Sequence, residues 1–138
     1  MSEKNYKQWM LVKASINNNA QRPDFKERDV FWTSIGENIG FEQDGKSRRF
    51  NRPVVVVRKF NTRMFLGVPL STTNNRSKYH LPLKFEGNVS VALLSQIRVF
   101  DAKRLEDKMG MLGKSDYLVL TEKLTDMITG QLSLPLND

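Results

Sequence analysis

The 138-residue chain has no cysteine. Disulfides, thiolate nucleophiles and cysteine-ligated zinc are excluded together, and the composition fits a reducing compartment. Histidine is nearly absent as well. His80 is the only one, so no pair of imidazoles can share acid and base roles within one chain. The carboxylates are scattered, without the close spacing that holds two Mg²⁺ ions. No GxxxxGK[ST] loop is present to cradle a nucleotide phosphate. No apolar run is long enough to span a bilayer, and Met1 to Asn19 lacks the apolar stretch of a secretion signal. A cytoplasmic location without membrane attachment is expected, and no cofactor or metal is called for.

Acidic residues are missing from one stretch. Between Gly45 and Phe85 there are ten cations, from Lys46 to Lys84, and no Asp or Glu. The whole chain has a net charge of +7, with 22 Lys and Arg against 15 Asp and Glu, so the remainder carries 12 cations against 15 acids. The excess positive charge therefore belongs to one central block. A polyanion is the economical partner for it, because neutralising phosphates releases condensed counterions.

At this length a single domain is expected. Lys4 to Ile16 reads as a short helix with Tyr6, Trp9, Met10 and Ile16 on one face, stopped by Asn17-Asn18-Asn19. Strands are expected over Val30–Ile35, at Val54–Val57 after Pro53, over Arg63–Leu70 and Leu81–Phe85, and as one long strand over Val89–Phe100. The sixteen residues from Gly36 to Asn51 form a long polar loop, and loops of that length in a compact domain are commonly functional. Asp101 should cap a short helix running to Lys108. Ser115 should cap a longer one, with Tyr117, Leu120, Leu124, Met127 and Ile128 on its apolar face. Trp9 and Trp32 read as core residues, and His80 as a surface residue. The divisions are residues 1–22 as a helical extension, 23–130 as the main domain and 131–138 as a loose tail. Many short strands with terminal helices suggest an α+β fold built on a small barrel.

Four segments in order carry a resemblance. Asp29-Val30-Phe31-Trp32 is similar to the first strand of the MazF/PemK toxins. Glu42-Gln43-Asp44-Gly45 followed by Arg52-Pro53-Val54-Val55-Val56-Val57 is similar to their EQGG…RPVVV signature. Val68-Pro69-Leu70-Ser71-Thr72 resembles the strand end where the family carries Thr or Ser. Leu93-Leu94-Ser95-Gln96-Ile97-Arg98 with Asp101-Ala102-Lys103-Arg104-Leu105 resembles LLEQIRTIDKxRL. The order and spacing of the four make the match specific, though each alone would be weak.

The resemblance implies an SH3-like barrel of the CcdB/PemK type with appended helices, working as a homodimer. It implies a sequence-specific, metal-independent endoribonuclease acting on single-stranded RNA, with a small acidic antitoxin as neutraliser. The family's catalytic Arg falls on Arg52 and its Thr or Ser on Ser71, with Thr72 as an alternative. The products would be a cyclic phosphate and a 5′-hydroxyl. Such chemistry suits this composition. RNA supplies its own 2′-OH nucleophile, and a guanidinium matches phosphorane oxygens in a bidentate way.

Glu42, Gln43, Lys46, Arg48, Arg49, Gln96 and Arg98 are the candidate RNA contacts. For Arg52 the plain alternative is an ion pair at the barrel rim, with Glu42 as partner. For Ser71 it is a turn cap, and for Glu42 and Gln43 it is ordering of the loop. Two departures stand out. Lys46 to Asn51 lengthens the family's loop, and Ser95 replaces an acid that many members carry, leaving the general base unassigned. A non-enzymatic gyrase poison of the CcdB kind and a catalytically silent RNA-binding barrel are the alternatives. The first depends on an aromatic-glycine-aliphatic C-terminus, which Leu134-Pro135-Leu136-Asn137-Asp138 lacks.

Overall fold

A computed structural model describes residues 4–19, 21–47, 49–73 and 77–133. The expected RNA contact Arg48 and most of the expected tail, residues 134–138, lie outside the described residues.

Helix α1 (Tyr6–Asn18) is capped by the Asn5 side chain, which accepts the Gln8 N–H at 3.2 Å. Its buried face is Trp9, Val12 and Ile16, spaced three and four residues apart as one helix face requires. Tyr6 and Met10 are expected on that face but are exposed, and Val12 joins it instead. Trp9 packs against Phe50 of the long loop, ring centroids 5.6 Å apart.

Seven strands follow: β1 (Asp29–Ser34), β2 (Asn51–Lys59), β3 (Met64–Ser71), β4 (His80–Phe85), β5 (Asn88–Leu93), β6 (Arg98–Asp101) and β7 (Leu105–Met111). They pair antiparallel in the order β4-β5-β3-β2-β1-β7, with β6 on β3. The sheet curls without closing. β4 and β7 form its two ends and are not hydrogen-bonded to each other. They nevertheless approach: a Cβ added at Gly110 of β7 would stand 2.4 Å from Glu86 Oε1 and 3.2 Å from the Phe85 ring. The expected barrel is thus an open one.

Strand β2 is central, and its valines divide between two cores because successive side chains point to opposite faces. Val55 and Val57 join Val68, Leu70, Leu83 and Leu94 on one side. There helix α2 (Lys114–Ile128) covers them with Leu120 and Leu124. Val54 and Val56 join Phe25, Phe31, Phe65 and Phe100 on the other.

Five expectations need correction. Val89–Phe100 is not one strand: β5 ends at Leu93, a single 3₁₀ turn spans Leu94–Gln96, and β6 begins at Arg98. The break lets two segments share one edge of β3, β6 along Met64–Gly67 and β5 along Leu70–Ser71. Asp101 does cap, accepting the Lys103 N–H at 2.8 Å, but only a 3₁₀ turn over Ala102–Arg104. The chain then becomes β7, because pairing with β1 overrides the helical preference of Leu105-Glu106-Asp107-Lys108. Ser115 is no cap, since α2 starts after Gly113, and Ile128 points outward. Trp32 is 38% exposed rather than core.

Candidate active site and nucleic-acid interface

Arg52 lies near the start of β2 and Ser71 at the end of β3. The antiparallel register pairs Val54 with Pro69, so its continuation sets Arg52 level with Ser71 at one end of the sheet. Three other segments reach this end: the 36–50 loop, the Leu94–Gln96 turn and the start of β4. Together they enclose a cleft of about 350 Å³, lined by Phe41, Gln43, Lys46, Arg52, Ser71, Thr73, His80, Leu93, Ser95 and Gln96. Among these residues there is no carboxylate.

Arg52 is 8% exposed. Its Nε–H donates to the Asp44 carbonyl at 2.9 Å and its Nη1 to the Leu70 carbonyl at 3.4 Å. These bonds aim the guanidinium along the cleft wall, and among the described residues Nη2 has no acceptor. Burial lowers the pKa of Arg52, opposed by the nearby Asp44 carboxylate. A guanidinium stays charged through such a shift, so the site holds a partly desolvated cation. The partner expected from the sequence, Glu42, is engaged elsewhere, accepting the Ile39 N–H at 2.9 Å.

The Ser71 oxygen accepts the Thr73 N–H at 3.1 Å. The hydroxyl thus caps a turn and keeps its proton to donate. Thr72 is exposed and does not line the cleft, whereas Thr73 does.

A second cleft of about 580 Å³ adjoins the first and shares Phe41, Gln43, Ser95 and Gln96 with it; Glu42 and Arg98 line it too. Gln43 and Gln96 serve the loop as well as the clefts. The Gln96 side-chain oxygen accepts the Gln43 N–H at 3.0 Å, and its amide donates to the Phe41 carbonyl at 3.3 Å. Arg98 stacks over Phe100 at 4.8 Å, and burial lowers its pKa against the raising influence of Glu42.

At the two ends of the lengthened part of the loop, Lys46 and Asn51 exchange two backbone bonds of 2.8 Å. Phe50 of this loop is buried under α1. Lys46 reaches the first cleft, but Arg49 turns away to pair with Glu106 of β7 at 3.2 Å.

The sequence reading missed three features of this site. His80, taken for a surface residue, lines the first cleft. Phe41 is fully exposed and stands between both clefts. Asp44 aims Arg52 through its carbonyl. Phe41 and Asp44 flank the Glu42-Gln43 pair, a positional signal that was available. Nothing local marks His80.

The family model for PemK-like, MazF-like toxins of type II toxin–antitoxin systems matches residues 26–128. The chain belongs to this family. No protein of curated function matches it by sequence. Among solved structures, MazF of Deinococcus radiodurans is similar at a TM-score of 0.63 and 16% identity, covering 79% of this chain and 98% of that one. An endoribonuclease in complex with its cognate antitoxin, from a mycobacterial species, is similar at a TM-score of 0.53 and 14% identity, covering 83% and 100%. The Mycobacterium tuberculosis toxin MazF-mt6 is similar at a TM-score of 0.56 and 15% identity, covering 74% and 97%. At such identities the likeness shows a shared fold. In this PemK-like chain the match begins after α1 and includes both clefts. No helix among the described residues is long and apolar enough to cross a membrane.

Proposed function

We propose that this toxin-family chain is a sequence-specific, metal-independent endoribonuclease that cuts single-stranded RNA in the first cleft. The observation that carries the reading is the pairing of a buried, aimed guanidinium with a hydroxyl at one strand end, in a cleft whose described lining residues include no carboxylate. A cleft of that charge attracts a phosphate and suits charge that grows in the transition state. Arg52 stabilises the dianionic phosphorane formed when the 2′-OH attacks, and the Ser71 hydroxyl adds a donor. Departure of the 5′-oxygen, which takes up a proton from solvent, leaves a cyclic phosphate and a 5′-hydroxyl. With Ser95 where many members carry an acid, His80 is the lining group suited to take the 2′-OH proton. Glu42, Gln43, Gln96 and Arg98 flank the RNA in the second cleft, and Lys46 meets a phosphate.

The same reading gives the chain a cytoplasmic setting, a homodimeric state and a small acidic antitoxin. Two kinds of support bear on the last. The family is one of toxin–antitoxin systems, and a fold neighbour was solved with its cognate antitoxin. The deciding experiment is incubation of purified protein with a long RNA in excess EDTA. Discrete fragments bearing 5′-hydroxyl ends are expected. Intact RNA under those conditions, with cleavage restored by Mg²⁺, would overturn metal independence. Intact RNA under all conditions would overturn the nuclease.

A further inference from the structure

Helix α1 lies outside the residues that the family model matches, yet it is bonded to the loop that walls both clefts. We propose that α1 is a clamp that holds the 36–50 loop in its RNA-receiving position, with Lys4 as a positioning residue that acts through Asp44 on Arg52. The inference rests on the reading of the first cleft as the cleavage site.

The Lys4 ammonium donates to the Asn38 carbonyl at 2.5 Å and the Gly40 carbonyl at 2.9 Å, and it meets the Asp44 carboxylate at 3.0 Å. Three acceptors match the three protons of an ammonium. The Tyr6 hydroxyl donates to the same Asn38 carbonyl at 2.8 Å. Asp44 Oδ1 also accepts the Asn38 N–H at 2.6 Å, which closes the loop on itself. The carbonyl of that same Asp44 takes the Arg52 Nε–H at 2.9 Å. Lys4, Asp44 and Arg52 are thus joined in one chain of contacts, from the residue just before the cap of α1 to the proposed phosphorane stabiliser.

The clamp has a firm base. Trp9 packs on Phe50, and it lies so close beneath Gly36 that an added Cβ there would stand 2.2 Å from the indole. Lys103 Nζ holds the other end of the helix through the Asn17 carbonyl at 2.9 Å. A long polar loop left unheld must be ordered when substrate binds, and affinity falls by that cost. A helix that has already ordered it removes the cost and keeps Phe41 standing between the two clefts.

The test compares wild type, Lys4→Ala, Lys4→Arg and Lys4→Ala/Tyr6→Phe. Amide exchange is followed at residues 38–45 and in β2 and β3, alongside cleavage of a single-stranded RNA oligonucleotide. In the double variant, exchange over 38–45 should accelerate while β2 and β3 stay protected. KM should rise about tenfold, the scale of one lost charge-assisted contact, with a smaller fall in kcat. Lys4→Arg should restore most of both. Unchanged loop exchange overturns the clamp, and so does acceleration spread equally through β2 and β3, which would mean that α1 only supports the fold. If wild type cleaves no RNA, the reading of the site fails, and the exchange data still decide whether α1 holds the loop.

Discussion

The Nε–H of Arg52 points at the carbonyl oxygen of Asp44, 2.9 Å away. A β-strand and a loop are tied by this bond, and a second bond reaches the Leu70 carbonyl of β3, so the aim of the guanidinium depends on the loop as well as on the sheet. The dependence shapes what substitutions at the site should do.

Arg52→Ala should lower kcat about a hundredfold or more, the scale of removing one transition-state donor. It also leaves the Asp44 and Leu70 carbonyls without their donor, so stability should fall by about 1–2 kcal/mol. Circular dichroism and urea unfolding separate the two effects. Arg52→Lys should keep the charge and rescue cleavage poorly, because the fork geometry is lost. His80→Ala should cost about a hundredfold if the imidazole is the base, and full activity in that variant ends its assignment. Ser71→Ala should be milder. Thr73, rather than Thr72, is the hydroxyl to remove with it, since Thr73 lines the cleft.

The loop cations should separate. Lys46→Gln should raise KM more than it lowers kcat and flatten the salt dependence of binding by about 0.7 in log–log slope, one phosphate contact on a single strand. Arg49→Gln should leave that slope unchanged, because Arg49 is paired with Glu106. Equal slopes for wild type and Lys46→Gln would show that Lys46 meets no phosphate.

Two carboxylates make the fold sensitive to acid. Arg22 donates to Asp101 at 2.9 and 3.0 Å and holds its pKa below the usual carboxylate range. Glu27 is held low chiefly by the Lys59 N–H. A carboxylate whose pKa is lowered by folding stabilises the native state above its unfolded-state value, and that contribution disappears as pH falls through the lowered folded value. Stability should therefore decline below about pH 4. The decline should be shallower in Asp101→Asn, which is less stable at neutral pH. Urea midpoints measured from neutral pH downward check both statements, and parallel curves for the two proteins would contradict them.

RNA and antitoxin should exclude one another. The clefts are lined by Lys46, Arg52 and Arg98, and a disordered acidic segment laid over them would occupy the phosphate path. In a titration with Arg52→Lys, adding antitoxin should release bound RNA oligonucleotide, and salt should weaken both complexes. Independent binding of the two would require a conformational route to inhibition.

Several features were legible in the sequence. Val54–Val57 announced a strand buried on both faces, and Leu120 and Leu124 announced the inner face of α2, because burial imprints its period on the local pattern. The four family segments pointed to the toxin family whose model matches residues 26–128. Tertiary structure alone decided the rest. Leu105–Met111 is a strand because β1 is there to pair with it, and no local pattern contains that partner. His80, Arg52 and Lys46 line one cleft because the ends of β4 and β2 and a loop converge at one end of the sheet. Lys4 reaches Asp44 because α1 lies across the loop. Such contacts depend on the position of segments far apart in the chain, whereas local periodicity records only which face of its own element a residue occupies.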